Sequence, residues 1–153
     1  MAAKILVFAN HKGGVAKTTL SVNVADALAR DGYSILFIDL DPQGNATQLI
    51  YGYDETPAVT IEQMLAGKES IAAAIVEKTT IPGVALIGAT LKLAKLEREL
   101  QTTPFSSTSL LLQKLHSVKD VFDVVIIDTP PALSFLTANA LAAADIVFVL
   151  VES

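Results

Sequence analysis

The chain has 153 residues, with 16 acids against 11 lysines and arginines, a net charge of -5 and no long basic run, so its composition advertises no nucleic-acid-binding surface. Hydrophobic residues make up 52% and aromatics only 6%, so the core is expected to be Ala, Val, Ile and Leu, the usual filling of a sheet covered by helices on both faces. The length suits one domain, and the absence of cysteine excludes disulfides and Cys-ligated zinc or iron–sulfur sites.

The opening MAAKILVFANHKGG holds an apolar run too short to span a bilayer, which predicts neither a signal peptide nor a transmembrane helix. The default expectation is a soluble cytoplasmic protein. Residues 4–9 (KILVFA) read as a buried strand entering a glycine pair. A helix is expected over 17–30, with Leu20, Val24 and Leu28 on one face and Gly32 ending it. Residues 34–39 (SILFID) form a second buried strand that ends on an acid, followed by a turn at 42–45 and a short helix. Helices are expected over 60–66, opened by Thr60, and over 71–77. A Pro-Gly turn leads into a third strand at 84–89 (VALIGA), then come helices over 91–100 and 109–118. Residues 122–128 (FDVVIID) are a fourth strand ending on an acid, 135–143 a helix and 146–151 a fifth buried strand.

Strands alternate with helices, and each strand is a continuous apolar run. That combination predicts an α/β fold: a mainly parallel sheet in the middle of three layers, with helices on both faces. Ligands of such sheets bind beyond the carboxyl ends of the strands. Polar clusters fall at four such ends, at 10–19, 39–45, 88–90 and 128–131.

The first cluster, NHKGGVAKTT, lies between a strand and a helix, the layout of a phosphate-binding loop. Gly13 and Gly14 let the backbone turn tightly with its N–H groups facing inward. The helix amino end adds partial positive charge. Lys17 supplies a full charge to the outer phosphates, and the Thr18 hydroxyl can ligate Mg²⁺. Lys12, Val15, Ala16 and Thr19 complete the loop. A glycine-rich turn with incidental lysines is the plainer alternative. The coincidence of strand, glycine pair, Lys-Thr and helix favours the phosphate loop.

KGGVAKTT resembles the deviant Walker A box, KGGxxK[ST], of the ParA/MinD family of ATPases. IDLDPQGNAT (38–47) is similar to the family's second motif, VVIIDTPP (124–131) to its Walker B strand and switch loop, and IPGVALIGAT (81–90) to its third-strand region. The DLDPQGN form looks most like the ParA/Soj-type partition ATPases. The resemblance implies a P-loop NTPase fold over residues 1–153, as the N-terminal part of a longer family domain. It implies ATP and Mg²⁺ as cofactors, with Lys12 reaching across a nucleotide-sandwich homodimer, Asp41 orienting the attacking water and Asp128 holding Mg²⁺. Lys12, Lys17 and Asp41 are thus the candidate catalytic residues. Ala16 replaces the glycine usual in the family, and His11 stands where Gln is common. His116, late in a helix, is read as structural.

The implied function is a slow, partner-stimulated ATPase that switches between monomer and dimer in plasmid or chromosome segregation. The implied partners are a ParB-like DNA-binding protein and non-specific DNA, the latter contacted through a further C-terminal part that would also complete the sheet and the adenine pocket. The full-length form would be associated with the bacterial nucleoid. A MinD-like membrane switch needs a C-terminal amphipathic helix, and the DPQGN loop leans away from it. The lack of cysteine counts against an iron–sulfur carrier. A non-catalytic nucleotide-binding fragment is the remaining alternative.

Overall fold

The computed structural model describes residues 1–10, 15–104 and 107–151. Five strands, β1 (Lys4–Ala9), β2 (Ile35–Asp39), β3 (Val84–Ile87), β4 (Val124–Asp128) and β5 (Ile146–Val149), form one sheet in the order β3-β2-β4-β1-β5. Every pairing within it is parallel, as the continuous apolar runs require.

Alternate residues of each strand point to opposite faces. Phe8, Ile35, Phe37, Leu86 and Ile126 meet one layer, made by α1 (Val15–Arg30) and α2 (Asn45–Tyr51). Val7, Leu36, Ile38, Ile87 and Ile127 meet the other, made by α3 (Ile61–Leu65), α4 (Ile71–Ala74), α5 (Lys92–Thr102), α6 (Leu110–Leu115) and α7 (Phe135–Ala143). The result is the three-layer α/β/α arrangement expected from the sequence.

Several details differ from the expectation. α1 starts at Val15, two residues early; Val24 and Leu28 of the expected face pack against the core beside the fully buried Ser21 and Ala25, while Leu20 is 42% exposed. Small residues at the centre of the contact let the helix axis approach the sheet, and Leu20 alone of the expected face falls outside it. The helix over 71–77 closes at Ala74 because Val76 forms an antiparallel bridge with Leu86, exchanging both backbone hydrogen bonds at 2.8 Å. α6 is shorter than 109–118, leaving His116 exposed just past its end.

The largest difference concerns β5. Its four residues are exposed, from 40% at Val147 to 64% at Val149. It lies at the sheet edge with β1 as its one neighbouring strand, and only the Phe148 ring is stacked, on Phe8 at 4.9 Å. An apolar run reads alike in a central strand and in an edge strand, so the run by itself did not mark the exposure.

The placement of β4 between β2 and β1 sets up the site. β1 is Phe8↔Asp128 in register with β4, and β2 is Asp39↔Asp128. Three chain segments that are far apart in sequence therefore end at one level.

Candidate phosphate and metal site

α1 begins where β1 ends, and its first turn carries no acid. The N–H groups of a helix's first turn, which make no intrahelical bond, and its partial positive charge suit an anion. Lys17 and Thr18 sit in that turn and are buried, at 2% and 5% exposure. Both reach Asp128, which is fully buried at the end of β4. The Lys17 Nζ donates to Asp128 Oδ1 and to the Thr129 carbonyl. The Thr18 hydroxyl donates to Asp128 Oδ2 at 2.7 Å. Thr129 is itself pinned, with N–H and Oγ1 both donating to the Phe8 carbonyl, at 3.3 and 2.8 Å.

Burial pushes the Asp128 carboxyl above its ordinary range, against the pull of Lys17 and the hydroxyl of Thr18, and with help from the charge of Asp41. The site is therefore a dry cluster in which one cation and one carboxylate satisfy each other.

A second acid neighbours it. Asp39 is fully buried and anchors the loop that follows β2. Its Oδ1 accepts from the Asp41 N–H at 3.0 Å, and its Oδ2 accepts from the Thr47 N–H and Oγ1 at 2.9 and 2.7 Å. Thr47 Oγ1 in turn accepts from the Ala89 N–H at 3.0 Å, tying the ends of β2 and β3 through α2. Gly44 fits where this loop meets β3. Its φ is 67°, and a Cβ there would stand 3.1 Å from the Ala89 carbonyl oxygen.

Asp41 is 7% exposed, and its Oδ1 accepts from the Gln43 N–H at 2.9 Å, so in this state it caps its own turn. Of the sequence candidates, Lys17, Thr18 and Asp128 are brought together, with Asp41 close by. Ala16 and Thr19 lie in the first turns of α1 on its exposed side, and Val15 opens the helix. A methyl at Ala16 suits that helical position. His11, Lys12, Gly13 and Gly14 lie outside the described residues. Sequence reasoning missed Thr129 and Thr47, whose roles depend on strand register, and it read Asp39 only as the acid that ends a strand.

Burial raises the Asp39 carboxyl to about 7, aided by the charge of Asp128 and opposed by the hydrogen bonds from Thr47 and Asp41. The unfolded chain releases this proton near pH 4, while the fold keeps it to about pH 7. Stability of the magnesium-free protein should therefore fall as pH rises across that window and level off above it. Asp39→Asn should flatten the fall, leaving the smaller slope from Asp128. Urea melts at pH 5 and pH 7.5 check this, and an identical slope in the variant would contradict it.

Comparison with known proteins agrees with the geometry. The family described as AAA domain matches residues 3–153. The chain is 40% identical over 149 residues to the sporulation initiation inhibitor protein Soj of Bacillus subtilis, covering 97% of this chain and 58% of that protein. It is 41% identical over 149 residues to the chromosome partitioning protein ParA of Caulobacter vibrioides, covering 95% and 55%. A crystal structure named as cobyrinic acid a,c-diamide synthase of Mycobacterium smegmatis, with bound ATP analog and magnesium, superposes with a TM-score of 0.90 at 38% identity. That match covers 97% of this chain and 60% of the other. The chain thus spans somewhat over half the length of these relatives. A parallel sheet of this order, a lysine and threonine at the start of α1 facing the acid of β4, and matches that run nearly end to end make this chain a member of the ParA/Soj-type ATPase family, on the P-loop NTPase fold.

Proposed function

We propose that residues 1–153 form one ATPase domain, the N-terminal part of a longer one, that binds ATP with Mg²⁺ and hydrolyses it to ADP and phosphate. In this reading the protein is a nucleotide-dependent dimer switch for plasmid or chromosome segregation. The observation that carries the proposal is the convergence of Lys17, Thr18 and Asp128 at the amino end of α1.

The donor set fits magnesium. Thr18 Oγ1 and Asp128 Oδ2 are hard oxygens 2.7 Å apart. Among the described residues no group of three His, Cys, Asp or Glu side chains could hold a metal. Mg²⁺ commonly takes one or two protein oxygens and completes its shell with water and phosphate. Bound there, the ion would supply charge neutralisation at the outer phosphates. The Mycobacterium smegmatis structure, 38% identical, is named with an ATP analog and magnesium, which supports ATP and Mg²⁺ as the ligands of this fold.

Phosphoryl transfer asks mainly for positioning and charge. Lys17 exchanges Asp128 and the Thr129 carbonyl for phosphate oxygens. The helix amino end orients the phosphates. Asp41 lets go of Gln43 and turns to the attacking water. Lys12 reaches the phosphates of a second copy. A ParB-like partner and non-specific DNA are the proposed interactors, the DNA through the part of the relatives that this chain does not span. The net charge of -5 agrees with DNA contact lying elsewhere. No described helix is long and apolar enough to cross a membrane.

Lys17→Ala should abolish ATP binding in calorimetry. It should also leave Asp128 buried without its cation, destabilising the nucleotide-free protein by about 3–5 kcal/mol in urea melts. Unchanged ATP affinity in the folded variant would sink the reading.

Asp41→Ala should keep ATP affinity and lose hydrolysis by about 10²-fold or more, as expected for a group that acts on the water. Phosphate release at the wild-type rate would leave Asp41 as a turn cap only.

Lys12→Ala should bind ATP as a monomer and fail to dimerise. Two ATP-loaded faces bring like charges together in a dry interface, which is costly unless cations from each side neutralise them. Sedimentation with a slow-hydrolysing ATP analogue decides, and a variant that still dimerises refutes the sandwich arrangement.

A further inference from the structure

A groove that the nucleotide chemistry does not use runs behind the Asp41 loop. One part, of about 960 Å³, lies between the amino end of α3, the turn after β3 and the first turns of α5. The other, of about 540 Å³, is lined by Pro42, Gln43, Gly44 and Thr47. The two adjoin at Thr56, Thr90 and Lys92, which line both.

Glu62 stands in its wall, 7% exposed. Oε1 accepts from the Thr90 hydroxyl, while Oε2 is buried and has no hydrogen-bond partner among the described residues. A buried carboxylate oxygen without a donor is costly. The fold does not need Glu62 to cap α3, because Gln63 Oε1 already takes the Thr60 N–H at 2.8 Å. The nearby lysines do not pair with it either, and Lys95 lies 3.9 Å from Glu99.

We propose that this groove docks a segment of a partner polypeptide by placing an arginine side chain on Glu62. A guanidinium offers the donors that Oε2 lacks, in a planar fork that suits a carboxylate. The walls carry both signs, Glu55, Glu62 and Glu99 against Lys68, Lys92 and Lys95. That balance favours an arginine flanked by an acid over a purely basic chain. Tyr53 and Leu91, 71% and 69% exposed on the outer wall, give the segment apolar contact. The volume beside Glu62 alone suits several residues rather than a single small ion.

The position gives docking a consequence. Thr90 follows Ala89, whose N–H holds Thr47, which holds Asp39, which holds the N–H of Asp41. An arginine that competes with Thr90 for Glu62 pulls on the turn that fixes the Asp41 loop. This effect on hydrolysis rests on the proposed ATPase reading, whereas docking itself does not.

The test is an amide-shift titration of the nucleotide-free chain with acetyl-Ala-Arg-Asp-Ala-amide. The control peptide carries citrulline, the uncharged isostere, in place of arginine. Saturable shifts are expected at Glu62, Thr90 and Lys92, extending to Thr47 and Gly44. Citrulline and Glu62→Gln should each weaken binding by about tenfold or more, as loss of a charge-assisted pair implies. Absence of saturation, equal binding of the two peptides, or full binding by Glu62→Gln overturns the proposal. If Glu62→Gln does not fold, Thr90→Val decides. It removes the internal donor and should bind the arginine peptide more tightly than wild type, and equal or weaker binding overturns the proposal. ATP hydrolysis is followed separately, so an intact titration without ATPase activity counts against the ATPase reading alone.

Discussion

A lysine ammonium and a carboxylate, both nearly sealed from water, meet at the end of the central strand. Neither Lys17 nor Asp128 is tolerable there alone, because an unpaired buried charge costs several kcal/mol. Their mutual satisfaction fixes where α1 starts, where β4 stops and how Thr129 turns back to the Phe8 carbonyl. The same pairing makes the site responsive. An anion competes with Asp128 for the lysine, and a cation competes with the lysine for Asp128. Ligands of opposite sign arriving together relieve both ends of the pair at once.

The parallel sheet turns this local constraint into a shared platform. Because β2, β4 and β1 all point the same way, Asp39, Asp128 and the start of α1 fall side by side. Asp39 is the less conspicuous partner. It touches none of the proposed ligands, yet its carboxyl organises the backbone of Asp41 and, through Thr47, the end of β3. A buried acid whose oxygens all serve neighbouring N–H and O–H groups behaves as a bracket for a loop that must later move.

Much of this was legible in the sequence because it depends on local pattern. Five apolar runs separated by helical periods specify the strands and their parallel arrangement, and strand-KGGVAKTT-helix specifies a loop for phosphates. What was not legible depends on neighbours in space. The helix from Ile71 stops short because Val76 finds Leu86 across the sheet edge, a pairing that neither helical nor strand periodicity marks. Leu20 reads as core by spacing, but Ser21 and Ala25 win the sheet face because closeness of backbone outweighs side-chain size there. Asp39 and Asp41 are two residues apart and equally acidic on paper. Only register shows that one is locked behind the sheet end while the other lies on the turn.

Strand order also governs how the chain can be made. β1, at the N-terminus, has no lateral partner until β4 and β5, which begin at Val124 and Ile146. At ordinary translation speeds the ribosome needs on the order of ten seconds to add that length. During that interval an apolar strand waits without a neighbour. β2 and β3 can pair meanwhile, but the sheet cannot close around its middle. The first strand to leave the ribosome is thus among the last to be paired, and its apolar side chains stay uncovered for most of synthesis.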